Sequence, residues 1–397
     1  MICSTSSPPI RRRPGEGRGP RGFTLVELLA VILILSVLIA LLLPAINGAV
    51  RTAKNAAVGA EINQLAQALA SFKAKYGDYP PSRVWLSEDG NFGVSTSTAA
   101  LATGDISTVQ LAQRSLAIMR KFFPQVVFNS SSDVFGSGSA QWYDFNGDGL
   151  FQYHAPYILQ GHECLVFFLG GIPQQTASGF GMTGFGKDPT NPFKNAAATS
   201  NRQAPFFEFV GNRLVVDPSR VDPVANPTAF NRQVYIPGYL DSLGNPAPVN
   251  AGDPINFYAF FSSYGNNGYD PNDVNFVADN YDPVSTTSPE LQYYVTFPIP
   301  PLATTNPSIS YGPNPYTTSY TIGGTGTTTF FNPQTFQIIS SGSDGTYGVG
   351  GQYAPDNTTG VLPLDTVNNP YVNNWIGPGL RKGENDNVTN FHSGRLN

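Results

Sequence analysis

The pattern of apolar and polar positions divides the chain into stretches of different kind. Residues 23–43 are apolar except at Thr24, Glu27 and Ser36. Built as a helix at about 1.5 Å per residue, this run spans roughly 30 Å, the hydrocarbon thickness of a bilayer. Further on, apolar residues recur at Val58, Ile62, Leu65, Leu69, Phe72 and Tyr76. Spacings of three and four predict an amphipathic helix with one buried stripe. Gly77, Pro80 and Pro81 are its stop signals. Together the two stretches predict one helix of roughly 80 Å from Phe23 to Tyr76, with a weak point at Pro44 and Asn47–Gly48. The stripe could form a coiled coil or pack on the chain's own sheet. It is short and poor in flanking charge pairs, which favours the sheet.

Beyond residue 81 the pattern is more broken. "DISTVQLAQRSLAIMRKFFPQ" carries Val109, Leu116 and Phe123 on one side and reads as a helix. "ECLVFFLGGI" reads as a buried element ended by glycines, with Cys164 on a buried strand. "FFEFVGNRLVVD" reads as a hairpin turning at Gly211–Asn212. "INFYAFFSSYG", "LQYYVTFPIP" and Phe336 to Ile339 read as strands. Residues 217–254 and 301–328, rich in Pro, Asn, Gly, Ser and Thr, read as surface loops. The expected fold class is α+β: a long N-terminal α-helix, half membrane-spanning and half amphipathic, packed on an antiparallel β-sheet, with a large loop-rich insertion. The expected organisation is a basic leader over 1–22, a membrane and assembly helix over 23–44 and an amphipathic stem over 45–80. An inserted α+β region over 81–330 and a C-terminal strand and loop over 331–397 complete it.

Composition narrows the picture. Only 12% of residues are charged, while the chain holds 41 Gly, 34 Pro, 27 Phe and 19 Tyr. Disordered chains are poor in aromatics and rich in charge, so these numbers describe a folded, loop-rich body with an aromatic core. Residues 1–22 carry Arg11, Arg12, Arg13, Arg18 and Arg21 against Glu16, a net +4, which leaves −9 for the rest. A basic segment before an apolar helix stays cytoplasmic and sends the body outward. An acidic body argues against nucleic acid as a partner and suits bound cations. Leu41, Leu42, Leu43 and Pro44 are not a small-x-small site, so no cleavage is expected at the far end of the helix. Of the two cysteines, Cys3 lies in the leader and Cys164 in an apolar run. No internal disulfide can hold the body together, and Cys164 reads as an inert core residue.

Glu27 is anomalous in its setting, because a carboxylate entering a membrane is costly. "RGFTLVELLAVILIL" closely resembles the N-terminus of type IV prepilins and type II secretion pseudopilins. The resemblance implies that prepilin peptidase, a membrane enzyme, cuts on the cytoplasmic side after Gly22 and methylates the new N-terminal Phe23. It implies that Glu27, fifth after the cut, serves assembly. The partners it implies are other pilin or pseudopilin subunits and an inner-membrane assembly platform. The physics agrees. Cutting frees an α-amino group on Phe23, charged near neutral pH. An ammonium and a carboxylate in apolar surroundings are each costly alone and tolerable as a pair. Glu27 of one subunit can therefore neutralise the amine of a neighbour and set the axial register. The bland alternative is that Glu27, one turn into the helix, snorkels to the headgroups. "QALASFKAKYGDYPPS" also resembles the helix end of the major type II pseudopilins.

Two loops invite a cation. "FQIISSGSDGTYGVGG" resembles the calcium loop of the major pseudopilin. The resemblance implies calcium held by the Asp344 carboxylate and the Ser341 and Ser343 carbonyls, closed by Asp386 and Asn387 in "ENDNVTNF". The chain departs from the family's pattern here. Asp344 and Asp386 are 42 residues apart, Asn387 stands where an Asp is usual, and Asp356 is a second closing candidate. A Gly-Asp turn without metal fits the same residues. "QWYDFNGDGLFQYH" puts Asp144, Asn146 and Asp148 at positions 1, 3 and 5 of an EF-hand-like loop, with Gly149 at 6. Position 12 is Ala155, so this is either a calcium loop completed from elsewhere or an Asx-rich turn.

Other motifs dissolve on inspection. "GFGMTGFGKD" has Gly179, Gly181 and Gly184 in GxGxxG spacing and imitates a phosphate loop. Asp188 replaces the Ser/Thr, and Pro189 blocks the helix such a site needs, so it reads as a loop. His154, His162 and His392 lack zinc-ligand spacing. No catalytic constellation is visible, and an enzyme is not expected. The expected function is a structural subunit held in a bacterial inner membrane with its body outside the cytoplasm, then assembled into a periplasmic or surface filament. The alternative is a pilus-anchored adhesin or substrate-binding protein with 81–330 as its binding head.

Overall fold

Thr24 opens the long helix and Gly77 closes it, and between them α1 (Leu25–Tyr76) is one 52-residue helix. A computed structural model of the chain describes residues 22–93, 106–130, 134–136, 139–151, 157–176, 179–194, 201–216, 236–243, 256–263, 268–269, 273–274, 315–319, 329–343, 345, 347, 350, 353 and 383–396. After α1 come β1 (Val84–Leu86), α2 (Ile106–Phe122), β2 (Tyr157–Leu159), α3 (Gly161–Gly170), β3 (Pro173–Thr176) and β4 (Gly179–Met182). There follow β5 (Leu214–Val215), β6 (Gly238–Tyr239), β7 (Ala259–Ser262), β8 (Thr317–Ser319), β9 (Thr329–Phe330), β10 (Phe336–Ser340) and β11 (Val388–Thr389). The fold is thus α+β: a long N-terminal apolar helix with small antiparallel sheets and loops.

The chain divides into two compact units, residues 1–52 and 53–397. In the first, the apolar side chains from Phe23 to Val50 are exposed all round. The Ser36 hydroxyl donates to the Leu33 carbonyl at 2.8 Å and that of Thr52 to the Gly48 carbonyl at 3.0 Å. Local bonds of this kind satisfy polar groups that a hydrocarbon environment cannot. The helix continues through Pro44 and Gly48, although sequence placed a weak point there. A proline removes one backbone donor and crowds the carbonyl four residues back, so Pro44 is the costly position within a continuous helix.

In the second unit, Val58, Ile62, Leu65, Leu69 and Phe72 are all fully buried, as their spacing predicts. Each such side chain contributes on the order of 1.5–3 kcal/mol. Phe72 meets Phe122 of α2 edge-on at 5.2 Å, Phe168 of α3 at 5.8 Å and Phe206 at 5.4 Å. The stripe ends at Gly77, whose φ of 86° lets its amide bond the Lys73 carbonyl at 2.8 Å. A three-stranded antiparallel sheet has the order β11-β10-β7, with Phe336 opposite Ser262 and Ser340 opposite Val388. β1–β2, β3–β4, β5–β6 and β8–β9 are two-stranded antiparallel pairs. One core cluster joins the stem stripe to Met119, Phe168, Phe193, Phe260, Ile338 and Val388. A second gathers Tyr316, Ile339, Tyr347, Tyr353 and Leu396.

Four sequence expectations are corrected. Cys164 sits on a helix, α3, rather than a strand, and all ten residues of that helix are buried. Its apolar residues Cys164–Leu169 are contiguous because every side is buried, so it carries no 3.6-residue period to betray it. "FFEFVGNRLVVD" is not a hairpin. Gly211–Arg213 is a 3-10 turn, and β5 pairs with the distant β6. The glycines of "GFGMTGFGKD" were expected in a loop, yet Gly179–Met182 is β4, paired with β3. Strands β6 and β8 also fall within two segments expected to be loops. "LQYYVTFPIP" and most of both those segments lie outside the described residues.

Candidate functional sites

Gly22 and Phe23 lie just ahead of α1 and both are exposed. Among the described residues nothing approaches within 4 Å of where a Cβ on Gly22 would sit. Thr24 is the N-cap of α1, and its carbonyl accepts the Leu28 amide at 3.1 Å. The Glu27 amide donates to the Thr24 hydroxyl oxygen at 3.2 Å. In return Glu27 Oε2 accepts the Thr24 amide at 2.9 Å and the Thr24 hydroxyl at 2.8 Å. This is a reciprocal capping box. Sequence reading took Glu27 as a partner for a neighbour's amine, with snorkelling to the headgroups as the alternative. The T-x-x-E spacing was the signal for its second role.

The C-terminal loop is built on β10. Gly342, with φ of 68°, packs so closely on Asp386 that a Cβ there would lie 2.4 Å from the Asp386 carbonyl oxygen. The Ser343 amide donates to Asp386 Oδ2 at 2.7 Å, and the Ser343 hydroxyl to the same oxygen. The 3-10 turn Gly383–Asp386 and Asn387 hold the far side of the loop. Glu384 accepts the Gly350 amide at 3.1 Å and the Tyr316 hydroxyl at 3.1 Å. Asn387 Nδ2 donates to the Tyr347 carbonyl at 2.9 Å. Ser343, Asp386 and Asn387 are therefore brought together with Ser341, which follows β10 directly. Asp344 and Asp356 lie outside the described residues. The donors present are hard oxygens, the class calcium takes. Asn387 Oδ1 is buried and has no hydrogen-bond partner among the described residues. Among those residues no group of three His, Cys, Asp or Glu side chains that could hold a metal ion gathers.

The second loop is closed on itself. Asp144 accepts the Gly147 amide at 2.7 Å and the Gly149 amide at 3.1 Å. Asn146 Nδ2 donates to Asp148 Oδ2 at 2.9 Å, and Asp148 Oδ1 accepts the Leu150 amide at 2.7 Å. Gly147 and Gly149 take φ of 73° and 75°, which only glycine adopts readily. Arg202 is lowered by burial and drawn back up by the charge of Asp144. Ala155 lies outside the described residues.

A polar cluster that sequence reading missed lies on the stem. Arg213 grips Glu61 with two parallel bonds, at 2.6 and 2.8 Å, and its Nε donates to the Leu240 carbonyl at 2.9 Å. The guanidinium lies 4.2 Å from the centre of the Tyr239 ring. The hydroxyls of Tyr239 and Tyr258 donate to Glu61 at 3.0 and 2.5 Å. Burial alone would raise the Glu61 carboxyl, but Arg213 and the two tyrosines pull it below its ordinary value. The signal for Glu61 was its position three residues after Val58 and four before Leu65, on the buried stripe.

Of the remaining motifs, Asp188 and His162 make local contacts. Asp188 accepts the Thr190 hydroxyl at 2.7 Å and the Thr190 amide at 3.0 Å, and these bonds hold its carboxyl at about 2. His162 is buried and stacks on Phe257 at 4.7 Å.

Residues 17–43 match the family described as the prokaryotic N-terminal methylation motif. No curated protein and no solved structure matches the chain. The match covers Gly22, Phe23, Glu27 and the apolar half of α1, the one helix among the described residues long and apolar enough to cross a membrane. The chain thus carries the N-terminal signal of type IV pilin-like and pseudopilin subunits, processed by prepilin peptidase, on a helix suited to a single-pass inner-membrane anchor.

Proposed function

We propose that this chain is a structural subunit of a type II secretion or type IV pilus-like filament, assembled through its N-terminal helix and without an enzymatic role. The observation that carries this reading is the methylation motif over 17–43, coincident with a helix whose apolar side chains are exposed from its first turn. Prepilin peptidase would cut between Gly22 and Phe23 and leave the basic leader in the cytoplasm. The body would stand outside the cytoplasm, and other subunits and an inner-membrane assembly platform would be the partners. Glu27 would meet the Phe23 amine of a neighbouring subunit. N-terminal sequencing of the mature protein tests this, with methyl-Phe23 expected as the first residue. An intact leader or a cut downstream of Pro44 would sink it. Glu27→Ala is expected to be inserted and processed but poorly assembled.

Calcium at the C-terminal loop is part of the same proposal. Asp344, Asp386 and Asn387 would ligate through side chains, and Ser341 and Ser343 through carbonyls. The buried Asn387 Oδ1 and the contact of Ser343 with Asp386 support it. A bound cation would stabilise the folded state by mass action. Calcium is expected to raise the melting temperature relative to EDTA, and an unchanged melt removes the claim. Asp144, Asn146 and Asp148 are proposed as a second calcium loop. Asp144→Asn is expected to lower the number of calcium ions bound in equilibrium dialysis.

A further inference from the structure

Asp241 follows β6 and is 4% exposed. Its Oδ1 accepts the Leu243 amide at 2.7 Å, and its Oδ2 accepts the Ser340 hydroxyl at the end of β10. Both donors are neutral, and no cation among the described residues stands within ion-pair distance of it. The cation of the neighbouring cluster, Arg213, is engaged by both oxygens of Glu61 and by the Leu240 carbonyl. A buried carboxylate without a counter-ion is costly in its charged form and takes a proton readily. The titratable and charged groups that face it are Glu61 on α1, Arg213 before β5, Tyr258 before β7 and Tyr347 after β10. Burial holds both Tyr258 and Tyr347 well above the usual tyrosine range, so they stay neutral.

The Ser340 hydroxyl oxygen also accepts the Gly342 amide at 3.2 Å. Asp241 is therefore linked through one side chain to the root of the C-terminal loop. We propose that Asp241 is a proton-operated brace, whose carboxyl takes up a proton from solvent to lock residues 236–243 onto the end of β10 and releases it to loosen that joint. Neutral, its hydroxyl can donate to Ser340 while Oδ1 keeps the Leu243 amide. Ionised, it keeps those two donors but holds a buried charge in a site that already contains Glu61.

Burial pushes this carboxyl up to about 6, with Ser340, Leu243 and Arg213 opposing the rise. A folded value above the ordinary one fixes the sign. The stabilisation is complete below about pH 3.9 and is lost as pH rises through about 6. This inference rests on neither the filament reading nor calcium. Hydrogen exchange on the full chain in detergent micelles, with EDTA throughout, tests it in peptides covering 236–243 and 336–343. After correction for intrinsic rates, the wild type is expected to lose protection by about 50-fold between pH 4 and pH 7.5. Asp241→Asn, isosteric and uncharged, is expected to lose far less. Ser340→Ala, which removes one donor to the carboxylate, is expected to move the midpoint to higher pH. An Asp241→Asn profile that tracks the wild type, or a wild type with no pH-dependent loss, overturns the proposal.

Discussion

Arg213 divides its donors between Glu61 of the stem helix and the Leu240 carbonyl, and so ties two distant stretches together. Truncating it leaves the Glu61 carboxylate mostly buried with only two tyrosine hydroxyls. Loss of one partner from such a pair costs about 3 kcal/mol, because the other charge stays behind. Arg213→Ala is expected to show that loss in urea denaturation, and a change within experimental error would show the pair to be incidental. The Glu61 carboxyl lies below its ordinary value, so its stabilisation is present above about pH 4.3 and lost as pH falls through the lower folded value. Glu61→Gln is expected to remove that part of the acid sensitivity. Asp241, a few residues from the same cluster, has the opposite sign. Glu61 was passed over, although its spacing put it beside the stripe. Its partner was not legible, because 152 residues separate the two and nothing local in "GNRLVV" names a distant acid.

At the scale of elements, what the sequence revealed depended on whether a buried surface was one-sided. The stem half of α1 and α2 each bury one face, and their periods were visible. α3 is buried on every side, and its ten residues read equally as a strand. Its start was marked more quietly, by Glu163 accepting the Gln160 amide at 2.9 Å, three residues back. β5 and β6 are two residues each and are joined by 22 residues of intervening chain; such short non-local pairs leave no alternation to read. The C-terminal loop is the reverse case. Its strand was visible as Phe336 to Ile339, and Asp386 of the tail lies against it, accepting the Ser343 amide. Asp386→Asn keeps the size of the side chain and removes its charge. It is expected to abolish any calcium-dependent rise in melting temperature while lowering the EDTA melt only slightly. A calcium shift of wild-type size in this variant would exclude Asp386 as a ligand.

For the whole molecule, the N-terminal signal was the most legible part, because its chemistry is local and dense. The body was the least, because its core is assembled from pieces far apart. Phe122, Phe168 and Phe206 cover Phe72, and all three come from the region read as an insertion. A chain that joins residue 80 to residue 331 would expose five large apolar side chains of the stem, each worth on the order of 1.5–3 kcal/mol when buried. It is expected to aggregate in size-exclusion chromatography. A monodisperse species with a cooperative melt would show that the stem and tail fold without the middle. The stripe also has a mechanical meaning. In the proposed filament, axial load would reach the body through whatever grips its helix. Here the grip is a row of aromatic and aliphatic contacts from Val58 to Phe72, with polar fastenings at the Glu61–Arg213 pair and between Lys75 and Gln203. Shearing the body from its helix would break all of these together rather than one after another, so the joint should yield at a high force and without warning.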